Sequence, residues 1–555
     1  MIVRPPRLST RQQRTRQQRA VQRRILLIAI ALSAVLAVTS CSAGESLTTT
    51  SGTTAGTTPI DGGTLVYATD VEPAAGGFDP YVATAFSNQN VLVQTYESLL
   101  SRDRDGTIEP ALATAWKQVD STTLDVTLRN GVQFSDGSPL TVDDVVYSFG
   151  AMTAPSAPQS ILLHGLESTT ALDPRTIEFR FTQPNGSFLN ILAAQGTTYI
   201  VNSTWYRHAS TTERQRTTNG TGPFALDAWN DDVSLELVRN PHYWQEGLPH
   251  LDALTFEVIP DETARTAALR QGSGVDAAWV RDGRLIDTVV GTNGADNSGP
   301  NGFTVGRNSA TRELSLFVNA RSGPLADVDV RQAISLSLDR ATIAKVAGGT
   351  SATTSLIVPP GDPNAIAVDP DTPNYRRDVA GAKRLLAASG TPHPKVRLDY
   401  ASDASFATDV PAYEVMKEEL AEAGIELQLA AAPWASIISR YIGGTFTDLI
   451  AVPGMYQPDV TSYFASFFSL TSPTNRVTTP QSPGVAELAA LTAASDPVAR
   501  RTLLATLEDI VATNAYVYVL YAQPQRFEVW SHRVKGYRVD PYGYRVNLKN
   551  AWLAE

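Results

Sequence analysis

The stretch Thr123–Phe149, TLDVTLRNGVQFSDGSPLTVDDVVYSF, changes hydrophobic period part-way along. Leu124, Val126 and Leu128 alternate with polar residues, the period-two signature of a half-buried strand, and Asn130-Gly131 follows as a hairpin turn. At Pro139 the pattern breaks. Thr141 with Asp144 three residues on is a capping-box variant, and it predicts a helix beginning near Val142. Strand, turn and helix in close succession point to a mixed α/β fold.

The same order recurs downstream. Val328–Gly349, VDVRQAISLSLDRATIAKVAGG, spaces Val330, Ile334, Leu338, Ile343 and Val346 as one apolar stripe running to the glycine pair. Ala412–Leu429 reads as a helix closed by Gly424 and followed by an alternating strand through Ile425, Leu427 and Leu429. Leu503–Ala522 repeats helix then strand, and no period marks internal repeats.

The amino-terminal region is of another kind. Residues 1–24 hold eight arginines and no acid, and Ile25–Val38, ILLIAIALSAVLAV, is apolar except for Ser33. Such a run spans about 21 Å as a helix, short of the hydrocarbon core of roughly 30 Å. A basic region, a short apolar run and small residues predict a secretory signal peptide over residues 1–40. Arg23-Arg24 leaves both general and twin-arginine export open. Residues 41–60 are rich in Ser, Thr and Gly and read as a tether. Without the leader's arginines the formal charge would be −19 rather than −11, which argues against nucleic acid as a partner.

Cys41 is the only cysteine, so no disulfide or zinc thiolate cluster is available. H-E-x-x-H, G-x-S-x-G and phosphate-loop patterns are absent, and the six histidines are scattered. Asp103–Pro110, DRDGTIEP, resembles a calcium loop but places Ile108 where glycine belongs, so an Asp105-Gly106 turn between two strands is expected. The carboxylate pairs Asp143-Asp144 and Glu418-Glu419 read as solvated helix faces. The chain is read as a non-enzyme with no cofactor and no metal.

Several long stretches in fixed order carry a positive signal: Gly62–Lys117, Leu128–Phe149, Gly220–Trp229 (GTGPFALDAW), Arg239–Val280 with its NPHYW, Gly323–Arg340 and Ala380–Gly390. Together they resemble the family 5 solute-binding proteins of ATP-binding-cassette importers, the oligopeptide- and dipeptide-binding group, from about Gly62 to the carboxyl terminus. Val38-Thr39-Ser40-Cys41 likewise resembles a bacterial lipobox, with Cys41 as the lipidated residue. The resemblance implies a periplasmic-binding-protein type II-like fold in three lobes: residues 61–96, 221–312 and 523–555 forming the first, 97–220 a small second, and 313–522 the third. It also implies an extracytoplasmic receptor, anchored to the outer face of the membrane, that passes a short peptide or similar solute to permease subunits with cytoplasmic ATPases.

By the same resemblance, ligand contacts would come from Ala83–Ser87, ATAFS, with Thr84, Phe86 and Ser87, and from Gly454–Asp459, GMYQPD, with Met455, Tyr456, Gln457 and Asp459. Relatives show G-W-x-x-D-x-x-[DE]-P there, the first aspartate pairing with the peptide's amino terminus. Aligned on the later acid, that aspartate falls at Tyr456; sliding the gap gives its role to Asp459. Arg440 falls near a carboxylate-binding arginine of some relatives, and Trp434 either walls the pocket or packs beneath it. Other members take metal chelates, oligosaccharides, opines or haem, and a non-transporting regulatory lipoprotein is a further alternative.

Overall fold

In a computed structural model, residues 58–554 are described, apart from short stretches of which the longest are 291–301, 348–357, 359–375, 455–458 and 540–545. Three main sheets organise this part. The largest has seven strands in the order Phe303–Arg307, Phe527–Ser531, Ala277–Val280, Thr64–Thr69, Ala253–Val258, Ser234–Arg239, Phe224–Asn230. Its central strand, Thr64–Thr69, runs parallel to both neighbours. A five-stranded sheet is ordered Glu426–Ala432, Lys395–Ala401, Leu449–Gly454, Thr311–Val318, Val517–Pro524. Its first three strands are parallel and its last two pairings antiparallel. An antiparallel four-stranded sheet contains Ala113–Asp120, Thr123–Leu128, Thr176–Phe181 and Leu166–Ala171.

The seven- and four-stranded sheets share one continuous core, in which Leu65, Tyr67 and Phe256 belong to the same cluster as Val126, Phe149 and Phe179. The five-stranded sheet has a core of its own around Leu316, Ile334, Leu398, Phe464 and Val519. The chain passes between the seven- and five-stranded sheets twice, after Arg307 and after Pro524. The crossings are side by side, because Arg307 pairs with Phe527 in one sheet and Thr311 with Pro524 in the other.

The opening stretch folds largely as its pattern predicts. Leu124, Val126 and Leu128 are buried, and the helix spans Val142–Met152 with Thr141 N donating to Asp144 Oδ2 at 2.9 Å. The expected hairpin at Asn130-Gly131 does not form: Thr123–Leu128 pairs backward with Ala113–Asp120 and forward with Thr176–Phe181. The chain does turn at Gly131, where φ is 77°. The strands Leu100–Arg102 and Ile108–Pro110 pair across the predicted turn, with Thr107 N donating to Asp103 Oδ1 at 2.7 Å.

Two other expectations are corrected. The stripe from Val330 to Val346 is two helices, Val328–Ser337 and Arg340–Val346, because the Asp339 carboxylate caps the second through Ala341 N and Thr342 N. Val346 is consequently exposed. Of the paired carboxylates, Asp144 and Glu419 are buried rather than solvated, each accepting a backbone N–H from another element: Ser203 N at 2.8 Å and Asp339 N at 2.9 Å. Gly424 closes the helix Val410–Ala423 in the left-handed region, φ 95°, as its position predicts.

Candidate functional site

The three parallel strands of the five-stranded sheet end together at Ala401, Ala432 and Gly454. Carboxyl ends of parallel strands are where open α/β sheets receive ligands, because loops fan out there over strands that stop in register. Trp434 sits at this edge. It opens the helix Trp434–Gly443, its ring stacks on Phe406 at 4.8 Å between centroids, and its N–H donates to Asp403 Oδ2. Arg440 lies toward the other end of the same helix, about 9 Å along its axis. Its Nη1 donates to Asp399 Oδ1 at 3.0 Å, a buried carboxylate also contacted by Arg397.

GMYQPD follows the third strand end. Met455, Tyr456 and Gln457 lie outside the described residues, as do Thr84 and Cys41. Asp459 is described and buried. It is the N-cap of the helix Val460–Phe468, where Oδ1 accepts Thr461 N at 2.8 Å. The same oxygen accepts Ser187 Oγ at 2.8 Å, Arg500 Nη2 lies 2.8 and 2.7 Å from the two oxygens, and Asn190 Nδ2 donates to Oδ2. Burial alone would push this carboxyl upward; Arg500 and the hydrogen bonds from Thr461 and Ser187 outweigh it and hold the pKa below its ordinary value. An ionised carboxylate offers about four lone-pair sites. These are filled from within the protein, so Asp459 has a structural task as a helix cap and ion-pair partner. The signal was present in the sequence: an aspartate before a long apolar run, VTSYFASFF, is an N-cap pattern.

On the other sheet, the chain leaves the strand Thr64–Thr69 and reaches the helix Phe86–Thr95. Phe86 is its first residue. Ser87 is buried and its Oγ accepts Ala74 N at 3.2 Å. Asn88 donates to Ala74 O and Gly77 O, and Gln89 donates to Ala83 O. This row of polar side chains fixes the loop over the sheet edge. Asp79 pins it from the far side, accepting Tyr206 Oη at 2.6 Å and Arg214 Nε at 3.3 Å.

The longest sequence motifs converge on a residue that pattern reading missed. Glu97 Oε2 accepts Trp244 Nε1 at 2.8 Å and Thr221 Oγ1 at 3.0 Å, while Oε1 accepts Tyr243 Oη at 3.1 Å. Asn240 Nδ2 donates to Gly222 O at 2.8 Å. A Cβ on Gly220 or Gly222 would overlap the carbonyls of Thr95 and Gln94, so GTGP needs glycine for close approach. GTGP and NPHYW are thus two sides of one framework joint. Among the described residues, no three His, Cys, Asp or Glu side chains are grouped to hold a metal, and no helix is long and apolar enough to cross a membrane.

Residues 107–475 match the family described as bacterial extracellular solute-binding proteins, family 5. The chain belongs to this family. Among its relatives, the glutathione-binding protein GsiB of Escherichia coli (strain K12) is 26% identical over 372 residues, 66% of this chain and 70% of that one. Two solved structures of similar fold align over nearly their whole length. AppA, the oligopeptide-binding protein from Bacillus subtilis in complex with a nonapeptide, is 21% identical, covering 90% of this chain and 100% of that one with a TM-score of 0.68. The binding protein AgaA of A. tumefaciens R10, in complex with agropinic acid, is 21% identical, covering 89% and 99% with a TM-score of 0.71. The family 5 fold of this chain is therefore the type II binding-protein architecture that its α/β pattern and motifs imply.

Proposed function

We propose that this protein is the extracytoplasmic receptor of an ATP-binding-cassette importer, capturing short peptides between two lobes and delivering them to permease subunits energised by cytoplasmic ATPases. The first lobe comprises residues 61–96, 221–312 and 523–555, the small second lobe 97–220, and the third lobe 313–522. Cys41 carries the lipid that holds it to the outer face of the membrane, after removal of residues 1–40, with 41–60 as the tether.

The observation that carries this reading is the pair of adjacent crossings between the seven- and five-stranded sheets, after Arg307 and after Pro524, in a chain of family 5. Two neighbouring strands form a hinge about which separate cores can close. Ligand that contacts both lobes favours the closed state, and closure is what a permease can recognise. Trp434 and the segments 83–87 and 454–459 border the cleft; Thr84, Phe86, Met455, Tyr456 and Gln457 contact the ligand. Arg440, already on Asp399, is available to a ligand carboxylate only by exchange.

Peptide is the leading ligand class, supported by the names of GsiB and AppA. A non-peptide solute is the second reading, and Asp459 favours it. With its oxygens filled by Arg500, Ser187, Thr461 and Asn190, it leaves a peptide ammonium without the expected carboxylate. Agropinic acid on AgaA is a precedent for such cargo in this fold.

Native mass spectrometry of the purified full-length protein, before and after mild denaturation, tests the reading. Released masses that resolve into short peptides support it; a released non-peptide mass supports the second. An empty protein with no thermal stabilisation by peptide pools overturns the peptide assignment.

A further inference from the structure

The edge of the five-stranded sheet opposite the strand ends at Ala401, Ala432 and Gly454 holds a cavity of about 680 Å³. Its position follows from the pairing: Val318, which ends its strand, lies against Leu449, which begins the neighbouring one. Arg321, Arg331, Tyr516, Thr478, Thr479 and Ser482 contribute its polar lining, and no carboxylate does.

Arg331 is buried, at 5% exposure. Its Nε donates to Asn514 O at 2.9 Å and its Nη1 to Leu325 O and Ala326 O at 2.9 and 3.1 Å. A guanidinium carries five N–H donors, so the two on Nη2 remain, without an acceptor among the described residues. Arg321 donates through Nη2 to Thr478 O at 3.1 Å, and its Nε and Nη1 have no acceptor among the described residues. Thr479 Oγ1 and Ser482 Oγ lie 3.1 Å apart beside them.

Among the described residues, no carboxylate forms an ion pair with the arginines here, Arg321, Arg331 and Arg476. Elsewhere in residues 313–522, Arg397 and Arg440 meet Asp399, Arg377 meets Glu422, and Arg500 meets Asp459. Asp327 attracts Arg331 from outside the lining, but its Oδ1 is engaged by Asp329 N at 2.8 Å as a helix cap. Arg476 adds positive field: burial, and then the neighbouring charge of Arg321, depress its pKa. Arg331 is the desolvated cation here, and a desolvated charge without a paired carboxylate is unfavourable, so an anion would offset the penalty.

We propose that this cavity is a second ligand site, for a phosphate-type oxyanion held by Arg321 and Arg331. It is distinct from the inter-lobe cleft and does not depend on the peptide reading. Guanidinium forks bind carboxylate and phosphate alike, but a tetrahedral phosphate presents a third oxygen for the hydroxyls of Thr479 and Ser482. The volume also exceeds what a lone carboxylate fills. The phosphate group arrives either as the free ion or on a larger monoester.

Calorimetric titration of the full-length protein at low ionic strength, with inorganic phosphate and separately with glycerol phosphate, tests the proposal. One saturable site is expected. Arg321→Gln, at an exposed position, should weaken binding about tenfold or more, the loss of a charge-assisted hydrogen bond. Ser482→Asp, which sets a carboxylate into the cavity, should abolish it. Tighter binding of the free ion identifies phosphate itself; tighter binding of the ester identifies a larger phosphorylated ligand. Arg331 is left intact because it also ties down three carbonyls. Absence of saturable heat into the millimolar range, or wild-type binding by a folded Arg321→Gln variant, would overturn the assignment.

Discussion

Arg500 Nη2 lies 2.7 Å from Asp459 Oδ2, and the two side chains keep only 11% and 1% of their exposure. The pair is joined by Ser187 and Asn190, which arrive from the segment that follows the four-stranded sheet. It therefore links two parts of the molecule far apart in sequence, with no ligand involved. Removing one member of a buried pair leaves the other charged and unpaired. Arg500→Met should lower the unfolding free energy by about 3–5 kcal/mol. The double variant Arg500→Met with Asp459→Asn should recover much of that loss in denaturant melts. Equal loss in single and double variants would show that the coupling is absent.

The same pair fixes the acid limb of the stability curve. Asp459 has a folded pKa below its ordinary value of 3.8. The folded state thus binds fewer protons than the unfolded state, and the stabilisation is present above pH 3.8 and lost as pH falls through the lower folded value. Asp459→Asn should flatten that part of the curve in urea titrations between about pH 2 and 5.

Gly186 is the close-approach point of this junction. Its N–H donates to Thr492 O at 2.8 Å, and a Cβ would overlap Ala494 O. Gly186→Ala should force the segment away from the end of the helix Val485–Ala493 and destabilise by about 1–3 kcal/mol. Faster amide exchange at residues 187–190 than in the four-stranded sheet would localise the effect. Unchanged exchange and stability would contradict the packing.

Glu419 predicts a pH dependence of opposite sign. Burial is the leading cause that pushes its pKa from 4.5 to about 7. The folded state then holds a proton that the unfolded state releases, so this contribution is complete below pH 4.5 and declines as pH rises through about 7. Glu419→Gln keeps an oxygen for Asp339 N and should remove the decline, giving equal or higher stability at pH 8. A wild-type slope in the variant between pH 5 and 7 would refute the assignment.

At the joint between GTGP and NPHYW, Trp244→Phe deletes one donor to Glu97 while keeping the aromatic bulk. The expected loss is about 1–3 kcal/mol, the cost of removing a hydrogen bond to a half-buried carboxylate. Burial already raises the Glu97 pKa, and losing Trp244 Nε1 should raise it further. Carboxyl titration by NMR would read the change directly.

How far the sequence reached can be seen at particular residues. Period-two alternation placed Leu124, Val126 and Leu128 inward, and Gly424 marked a helix end, because these signals act over a few residues and need no partner. The motif order carried the family and hence the sheet architecture. Asn130-Gly131 failed as a hairpin because strand pairing is decided by which edges are free, and Thr123–Leu128 found partners on both sides. The stripe through Val346 failed because Asp339 offered a better cap than continuing the helix.

The site divides along the same line. The sequence by itself determined the acidic, mixed α/β character of the chain and its membership of the family. Those properties are sums over residues or patterns within one element. Only the tertiary structure decided that Asp459 faces Arg500, that Glu97 gathers Trp244, Tyr243 and Thr221, and that Arg321 and Arg331 share a cavity without an acid. Each depends on side chains brought together from distant positions, and at such distances the strength of an ion pair or hydrogen bond is set by burial and geometry that no local pattern encodes.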